Sequence, residues 1–589
     1  MAPAPPSAPA PLSAAGSAAT PRPAPAAPAR RRRDRGWRLA VAGLAAAALA
    51  PLIALLWLAM QPSGDVWSHL ASSVLPRAVG ATALLMAGVG VLTGIIGVGA
   101  AWAVTMYRFP GSRVLDWALL LPLAVPTYIV AFAAVEVFDY SGPAQMALRA
   151  VTGLSGRMLP DIRSLGGAVA VMSFVLYPYV YLSARASFLM QSSAALEVAR
   201  TLGAGPLRLF LTVALPLARP AVAVGISLAL METVNDIGAV QYLGVRTLTV
   251  SVYDTWLNRG SLPGAAQIAV TMLAAMFALV AVERIARRRQ RFHAGIRNAA
   301  VVPRPLPPRR GLLVAGLCAL PVLLGFVLPA AVLVRAALRR LDQAADPALA
   351  AAALHSLGLA AVAAVLTVAA GAAIAYALRL RAGRVMRLAA ALASIGYAMP
   401  GTVLAVGILL PLSGLDAMLA RFLRDQFGLA AGLVLAGSGA GLVYAYCVRF
   451  LAVSAGTLET GLGRLSPHLD MAARTLGRTA GGALRDVLVP LLRPSLATAG
   501  LIVFVEAMKE LPATVLLRPF NFETLATVVF NAASQERFEN GALAALAIVA
   551  AGLVPVVVLA RASVAGRARM PGADGEAAAA GPAPAPAAV

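Results

Sequence analysis

Stretches of about 20 mainly apolar residues recur along the chain, separated by short polar or Arg-rich breaks, and they lack the period-2 alternation of strands. Each is long enough to cross a hydrocarbon core as a helix. Continuous runs rich in Ala, Leu, Val and Gly favour helices over an outer-membrane barrel. The pattern predicts spans at 39–60, 79–106, 114–136, 166–188, 218–243 and 263–285, and then at 312–337, 353–378, 387–412, 429–452, 494–516 and 541–561. The expected fold class is an all-α integral membrane protein of about 12 transmembrane helices in two sets of six.

Composition agrees. Of 589 residues, 60% are hydrophobic and 13% charged, and the mean hydropathy of +0.80 is too high for a water-soluble domain of this size. Residues 1–36 are largely Ala, Pro and Ser and read as a disordered cytoplasmic N-terminus. Its end carries Arg30 to Arg33 and Arg35, with Arg38 just beyond, and this charge holds the N-terminus in the cytoplasm. The Ala-rich stretch at Ala48 to Pro51 resembles a signal cleavage site, but the apolar run continues through Ile53 to Trp57, so an uncleaved span is expected.

Residues 37–290 form the first half. Six spans return the chain to the cytoplasm, where it meets Arg284, Arg287 to Arg289, Arg291, Arg297, Arg304, Arg309 and Arg310. Arg149, Arg157 and Arg163 face outward on this map, so the charge rule holds as a bias. Residues 291–311 are a basic cytoplasmic linker, 312–563 the second half and 564–589 a disordered C-terminal tail, which places both termini in the cytoplasm.

The net charge of +24 belongs to this membrane pattern. No basic groove interleaved with aromatics is present, so nucleic acid is not expected as a partner. Cys318 and Cys447 lie in apolar runs, and the four histidines have no ligand-like spacing, so neither a metal site nor a catalytic site is expected.

The halves are copies. Ala199-Arg200-Thr201-Leu202-Gly203 recurs as Ala473-Arg474-Thr475-Leu476-Gly477, an offset of 274 (477 − 203). The same offset places Pro216 on Pro490, Arg219 on Arg493, Pro220 on Pro494 and Glu232 on Glu506. Both copies enter the membrane in the same direction, which makes the repeat parallel and gives a pseudo-twofold axis along the membrane normal.

Each copy of this block falls in a cytoplasmic loop, at about 189–217 and about 453–491. The first reads Glu197-Val198-Ala199, then Gly203, Val213, Leu215 and Pro216. The second reads Asp470-Met471-Ala472-Ala473, then Gly477, Val487, Val489 and Pro490. These blocks resemble the EAA loop of binding-protein-dependent ABC importer permeases, with Val198 in place of one Ala and Met471 in place of the Glu. The resemblance implies two type I permease halves of six helices each. It also implies that Glu197, Ala199, Gly203, Leu215 and Pro216, with Asp470, Ala472, Ala473, Gly477 and Pro490, couple the chain to an ABC ATPase dimer. Small Ala side chains permit close docking in a groove, Gly permits a tight helix end, and Pro fits the entry to the next span.

The ATPase must be a separate chain. A phosphate-binding loop needs Gly-Lys-Ser/Thr, and the only lysine, Lys509, stands between Met508 and Glu510. No cofactor bound by this chain is expected, because ATP-Mg is used by the partner, and the chain reads as a non-catalytic subunit.

Ionisable groups at membrane depth mark a pathway or a buried ion pair. Glu232, Asn235 and Asp236 fall at i, i+3 and i+4 of the fifth span, and their repeat partners are Glu506, Lys509 and Glu510, with Lys509 able to neutralise two carboxylates in part. They are candidates for the translocation pathway or gate, or for polar contacts between helices. Tyr177, Tyr179 and Tyr181 are expected as interfacial anchors.

Glu232 to Trp256 and Lys509 to Phe530 are similar to the fused permeases of ferric iron uptake systems. That likeness implies an inner-membrane importer fed by a periplasmic or lipid-anchored binding protein, with ferric iron as cargo. Related permeases serve thiamine, sulfate or polyamines. An ion-gradient-driven secondary transporter is the reading from another class.

Overall fold

The computed structural model describes residues 29–64, 66–191, 193–288, 303–380, 383–429 and 433–568. The tails at 1–28 and 569–589, and most of the linker expected at 291–311, lie outside the described residues. Among the described residues, eleven helices are long and apolar enough to span a bilayer, and twelve spans result when the bent pair Ser112–Ala124 and Thr127–Thr152 is taken as one. Spans 1 to 6 are Gly36–Ala59, Trp67–Met106, that bent pair, Leu165–Leu189, Pro206–Asn235 and Leu262–Ala281. Spans 7 to 12 are Pro308–Leu338, Pro347–Leu380, Gly401–Phe427, Ala440–Gly463, Ala480–Met508 and Phe538–Val558. In lipid such helices satisfy their own backbone groups, which is why the apolar runs fold this way.

Several boundaries differ from the sequence reading. The helix of the first span starts at Ala29, inside the segment 1–36 expected to be disordered. The last helix runs to Ala568, past the expected start of the tail. The expected span at 429–452 is displaced to Ala440–Gly463, and the ninth span extends to Phe427. The apolar stretch after Gly428 misled the pattern. Asp416 accepts the Leu435 and Ala436 N–H groups at 2.6 and 2.8 Å, and Gly439 (φ +74°) starts the next helix. Because the tenth span ends at Gly463, the second cytoplasmic loop begins about ten residues later than the expected 453.

The third span is broken. Val125 is extended and Pro126 opens the second piece, with a 96° bend between the two helices. Met399 and Pro400 repeat this break before Gly401–Phe427, at the same offset of 274. Pro126 and Pro400 lack the N–H that a continuous helix would need there.

Pro216 and Pro490 do not mark helix starts. Both lie inside continuous helices, each directly after a π-helical turn at Phe210–Ala214 and Leu484–Leu488. The wider turn makes room where a proline ring and its missing N–H disrupt the α-helical ladder.

The halves interlock. The first span packs against Gly401–Phe427 and the Arg384–Ala393 helix of the second half, and the seventh packs against the third and fourth spans of the first half. Within each half, spans 2 and 4 approach at a glycine. A Cβ on Gly97 would stand 2.9 Å from Tyr177 O, and one on Gly371 would stand 2.9 Å from Ala455 N. Trp37 packs edge-on against Tyr376, whose hydroxyl donates to Ala480 O at 2.7 Å. Tyr107 and Arg108 pair with Arg304 and Pro305 as two short parallel strands. The start of the first span and the end of the linker therefore lie on the same face as the repeated loops.

Candidate functional site

The two loop helices are Ser193–Thr201 and His468–Thr475. Both end the same way. Gly203 and Gly477 adopt φ +82° and +84°, while the Ala204 and Arg478 N–H groups donate back to Ala199 O and Ala473 O at 3.0 Å. This is a Schellman stop, and the left-handed residue is Gly because a Cβ is disfavoured there. It leaves Leu202 and Leu476 at 82% and 84% exposure, so each loop presents one bare leucine at its tip. Glu197, Ala472 and Met471 are exposed, Ala199 is half-buried, and Ala473 is buried. Leu215 and Pro216 are half-buried and Pro490 exposed, in the helices that follow.

The loops are anchored differently. Asp470 is buried and paired with Arg379, which also donates to Leu462 O, Leu465 O and Ser466 O. At the equivalent positions the first half has Leu196, buried, and Thr105, whose hydroxyl donates to Ala101 O. An ion pair holds one loop, and an apolar contact holds the other.

A cavity of about 90 Å³ lies where the halves meet, and all six candidate pathway residues line it. The fifth and eleventh helices stop at Asn235 and Met508, so Asp236 and Glu510 lie beyond the helices on which the sequence pattern placed them. Each caps a short following helix. Asp236 Oδ1 accepts the Ala239 and Val240 N–H groups at 2.8 and 3.3 Å, and Glu510 accepts those of Ala513 and Thr514 at 3.0 and 3.1 Å. The Thr127 hydroxyl also donates to Asp236. A carboxylate facing a helix N-terminus satisfies free N–H groups and meets the positive end of the dipole.

Asn235 joins the halves. Its Oδ1 accepts from the Gly401 N–H at 2.7 Å and from Arg449 Nη1 at 2.9 Å. Arg449 stands 4.0 Å from Glu510 Oε1, and Lys509 pairs with Glu506 at 2.8 Å. The ion pair of Lys509 is thus with Glu506. Glu232, half-buried in the cavity wall, has no ion pair or hydrogen bond to its side chain among the described residues.

Arg449 and Tyr179 also line this cavity, and sequence reasoning gave neither a place there. Arg449 stands alone in an apolar run, and that alone was a usable signal. The expected tyrosine anchors are not interfacial. Tyr177 and Tyr181 are fully buried, and the Tyr181 hydroxyl donates to Asp116, which is itself paired with Arg185.

Residues 94–292 match the family described as binding-protein-dependent transport system inner membrane component. The chain is 24% identical over 488 residues to the Fe(3+)-transport system permease protein FbpB 2 of Haemophilus influenzae, covering 81% of this chain and 88% of that protein. It is 30% identical over 247 residues to the sulfate transport system permease protein CysT of Salmonella typhimurium, covering 39% of this chain and 84% of that one. The molybdenum transport system permease protein ModB of Escherichia coli is 29% identical over 194 residues, covering 32% and 82%. Two halves of six spans, a loop helix with one glycine stop in each, and these matches lead to one family: the chain belongs to the inner membrane components of binding-protein-dependent transport systems.

Proposed function

We propose that the chain is the complete translocation pathway of an ATP-driven importer for ferric iron in a bacterial inner membrane, with both termini cytoplasmic. A binding protein delivers cargo to the outer face. A pair of ATPase subunits grips the loop helices Ser193–Thr201 and His468–Thr475, seating exposed Leu202 and Leu476 in apolar grooves. Closure of the ATPases moves both loops, and the halves rock about the cavity between Glu232 and Glu506.

The observation that carries the cargo assignment is Glu232. Asp236 and Glu510 are satisfied by helix N-termini, and Glu506 by Lys509, which leaves Glu232 facing the cavity with no direct ion pair or hydrogen bond among the described residues, although Arg449 and Lys509 line the same cavity. A cation crossing there gains a counter-charge, whereas a dianion such as sulfate would be repelled. Among the described residues no group of three His, Cys, Asp or Glu side chains is placed to hold a metal ion. A lone carboxylate suits brief contact during passage. The likeness to a ferric permease across most of both chains supports the same cargo, while about a third or more of the chain also resembles sulfate and molybdenum permeases.

The test is energised uptake of labelled ferric iron in cells with and without the chain, with labelled sulfate and thiamine in parallel. Loss of iron uptake alone supports the reading. Loss of sulfate or thiamine uptake alone keeps the importer and overturns its cargo. Uptake that resists vanadate and collapses with an ionophore overturns ATP drive.

A further inference from the structure

A second recess lies away from the pathway. It is an apolar groove of about 640 Å³ between the second and fifth spans, running along the former from Met86 to Gly99. At 1.5 Å per residue that is about 20 Å. On the fifth span the lining residues are Phe210, Leu215, Val222, Ile226 and Leu230, the last four on a single helical stripe. Glu232 and Asn235, which line the central cavity, project about 200° and 140° around the helix from Leu230. The groove therefore opens on the side of the helix facing away from the pathway, toward the bilayer.

The same stripe holds a charge. Arg219 stands one turn from both Leu215 and Val222, is exposed, and makes no ion pair or hydrogen bond among the described residues. The continuous helix Pro206–Asn235 is about 45 Å long against a hydrocarbon core of about 30 Å, and Arg219 lies about 20 Å from its loop-side end. An arginine at that depth reaches for headgroup phosphates. Gly94 faces Ile226 in this groove, and a Cβ there would meet Ile226 Cδ1 at 3.4 Å. In the second half the bulk is exchanged, with Val368 reaching toward Gly500 at the equivalent positions.

We propose that this groove holds one acyl chain of a glycerophospholipid from the leaflet on the loop-helix side, with the lipid phosphate paired to Arg219. The groove supplies the apolar contact and the arginine a charge-assisted hydrogen bond at its mouth. Bound there, the lipid fills the space between the second and fifth spans, and the fifth span carries Glu232 at one end and follows the first loop helix at the other.

The test uses the full chain in nanodiscs of phosphatidylglycerol and phosphatidylcholine. The protein is extracted into mild detergent, and retained phospholipid is counted by mass spectrometry. The variants are Arg219→Gln, Gly94→Val, which puts a branched side chain into the groove against Ile226, and Arg493→Gln as the repeat-equivalent control. Retention should fall about tenfold in the first two, the effect of one charge-assisted contact or a filled groove, and stay unchanged in the control. Equal retention in all four proteins, or no retained lipid in the wild type, overturns the site. A loss in Arg493→Gln matching that in Arg219→Gln overturns it as general surface charge, and a loss in Gly94→Val alone overturns the phosphate contact.

Discussion

Arg379 and Asp470 form a two-point ion pair beneath the second loop helix, Nε to Oδ2 at 2.8 Å and Nη2 to Oδ1 at 3.2 Å. The first half has Thr105 and Leu196 at those positions, so the two loops are not mechanically equivalent. Asp470→Ala leaves Arg379 without its carboxylate, though three carbonyls still hold it. The cost should be about 2 kcal/mol, local to the loop. Amide exchange across 468–475 should speed by at least about tenfold while that across 193–201 stays as it was. Unchanged exchange at 468–475 would remove the anchoring role from this pair.

A second expectation concerns the glycine stops. At φ +82° and +84° an Ala costs about 1 kcal/mol per site, and a Pro is worse because it cannot reach that φ and has no N–H to donate to Arg200 O or Arg474 O. Gly203→Pro with Gly477→Pro should leave ATP hydrolysis by the assembled complex running while uptake falls to background. Wild-type uptake by this double variant refutes the coupling assignment.

The repeat was legible because a parallel duplication keeps its offset through residues that cannot drift, such as Gly203 and Gly477. Span number and order were legible from apolar length alone. The breaks at Pro126 and Pro400 were not, because an apolar run looks the same whether it is one helix or two at 96°. Nor could the pattern show that Asp236 leaves the fifth helix. Its carboxylate satisfies the N–H groups of Ala239 and Val240, and a helical-spacing argument is blind to such a capping bond. The interlocking of the first and seventh spans with the opposite halves is set by packing across the whole protein, about which local sequence is silent.

The lone carboxylate leads to a third expectation. Glu232→Gln keeps size and polarity but removes the charge, and should lower ferric uptake at least about tenfold, with the stimulation of ATPase by loaded binding protein retained. Glu506→Gln should act differently, since it frees Lys509 to face the cavity as an unpaired cation. If cargo is a cation, Glu506→Gln should be as damaging as Glu232→Gln, and Glu506→Gln with Lys509→Gln should recover part of the loss. An increase in iron uptake on removing Glu232 would reverse the sign of the proposed cargo contact.

Asn235 is a buried polar link between the halves whose loss has a calculable direction. Its Oδ1 accepts two donors from the second half, the Gly401 N–H and Arg449 Nη1, and all three groups are buried. Asn235→Leu strands the Gly401 N–H and leaves Arg449 Nη1 with Glu510 alone at 4.0 Å, at about 1–3 kcal/mol for each donor, and adds a branched apolar group beside Arg449. Asn235→Asp instead keeps an acceptor for both and places a carboxylate against the guanidinium. Unfolding in mild detergent should therefore come several degrees earlier for Asn235→Leu and stay close to wild type for Asn235→Asp. The carboxylate would also tighten the hold of Arg449 on the first half, so uptake in Asn235→Asp should slow without loss of stability. Equal Tm values for Asn235→Leu and wild type would show that water replaces the lost acceptor and that this contact does not hold the halves together.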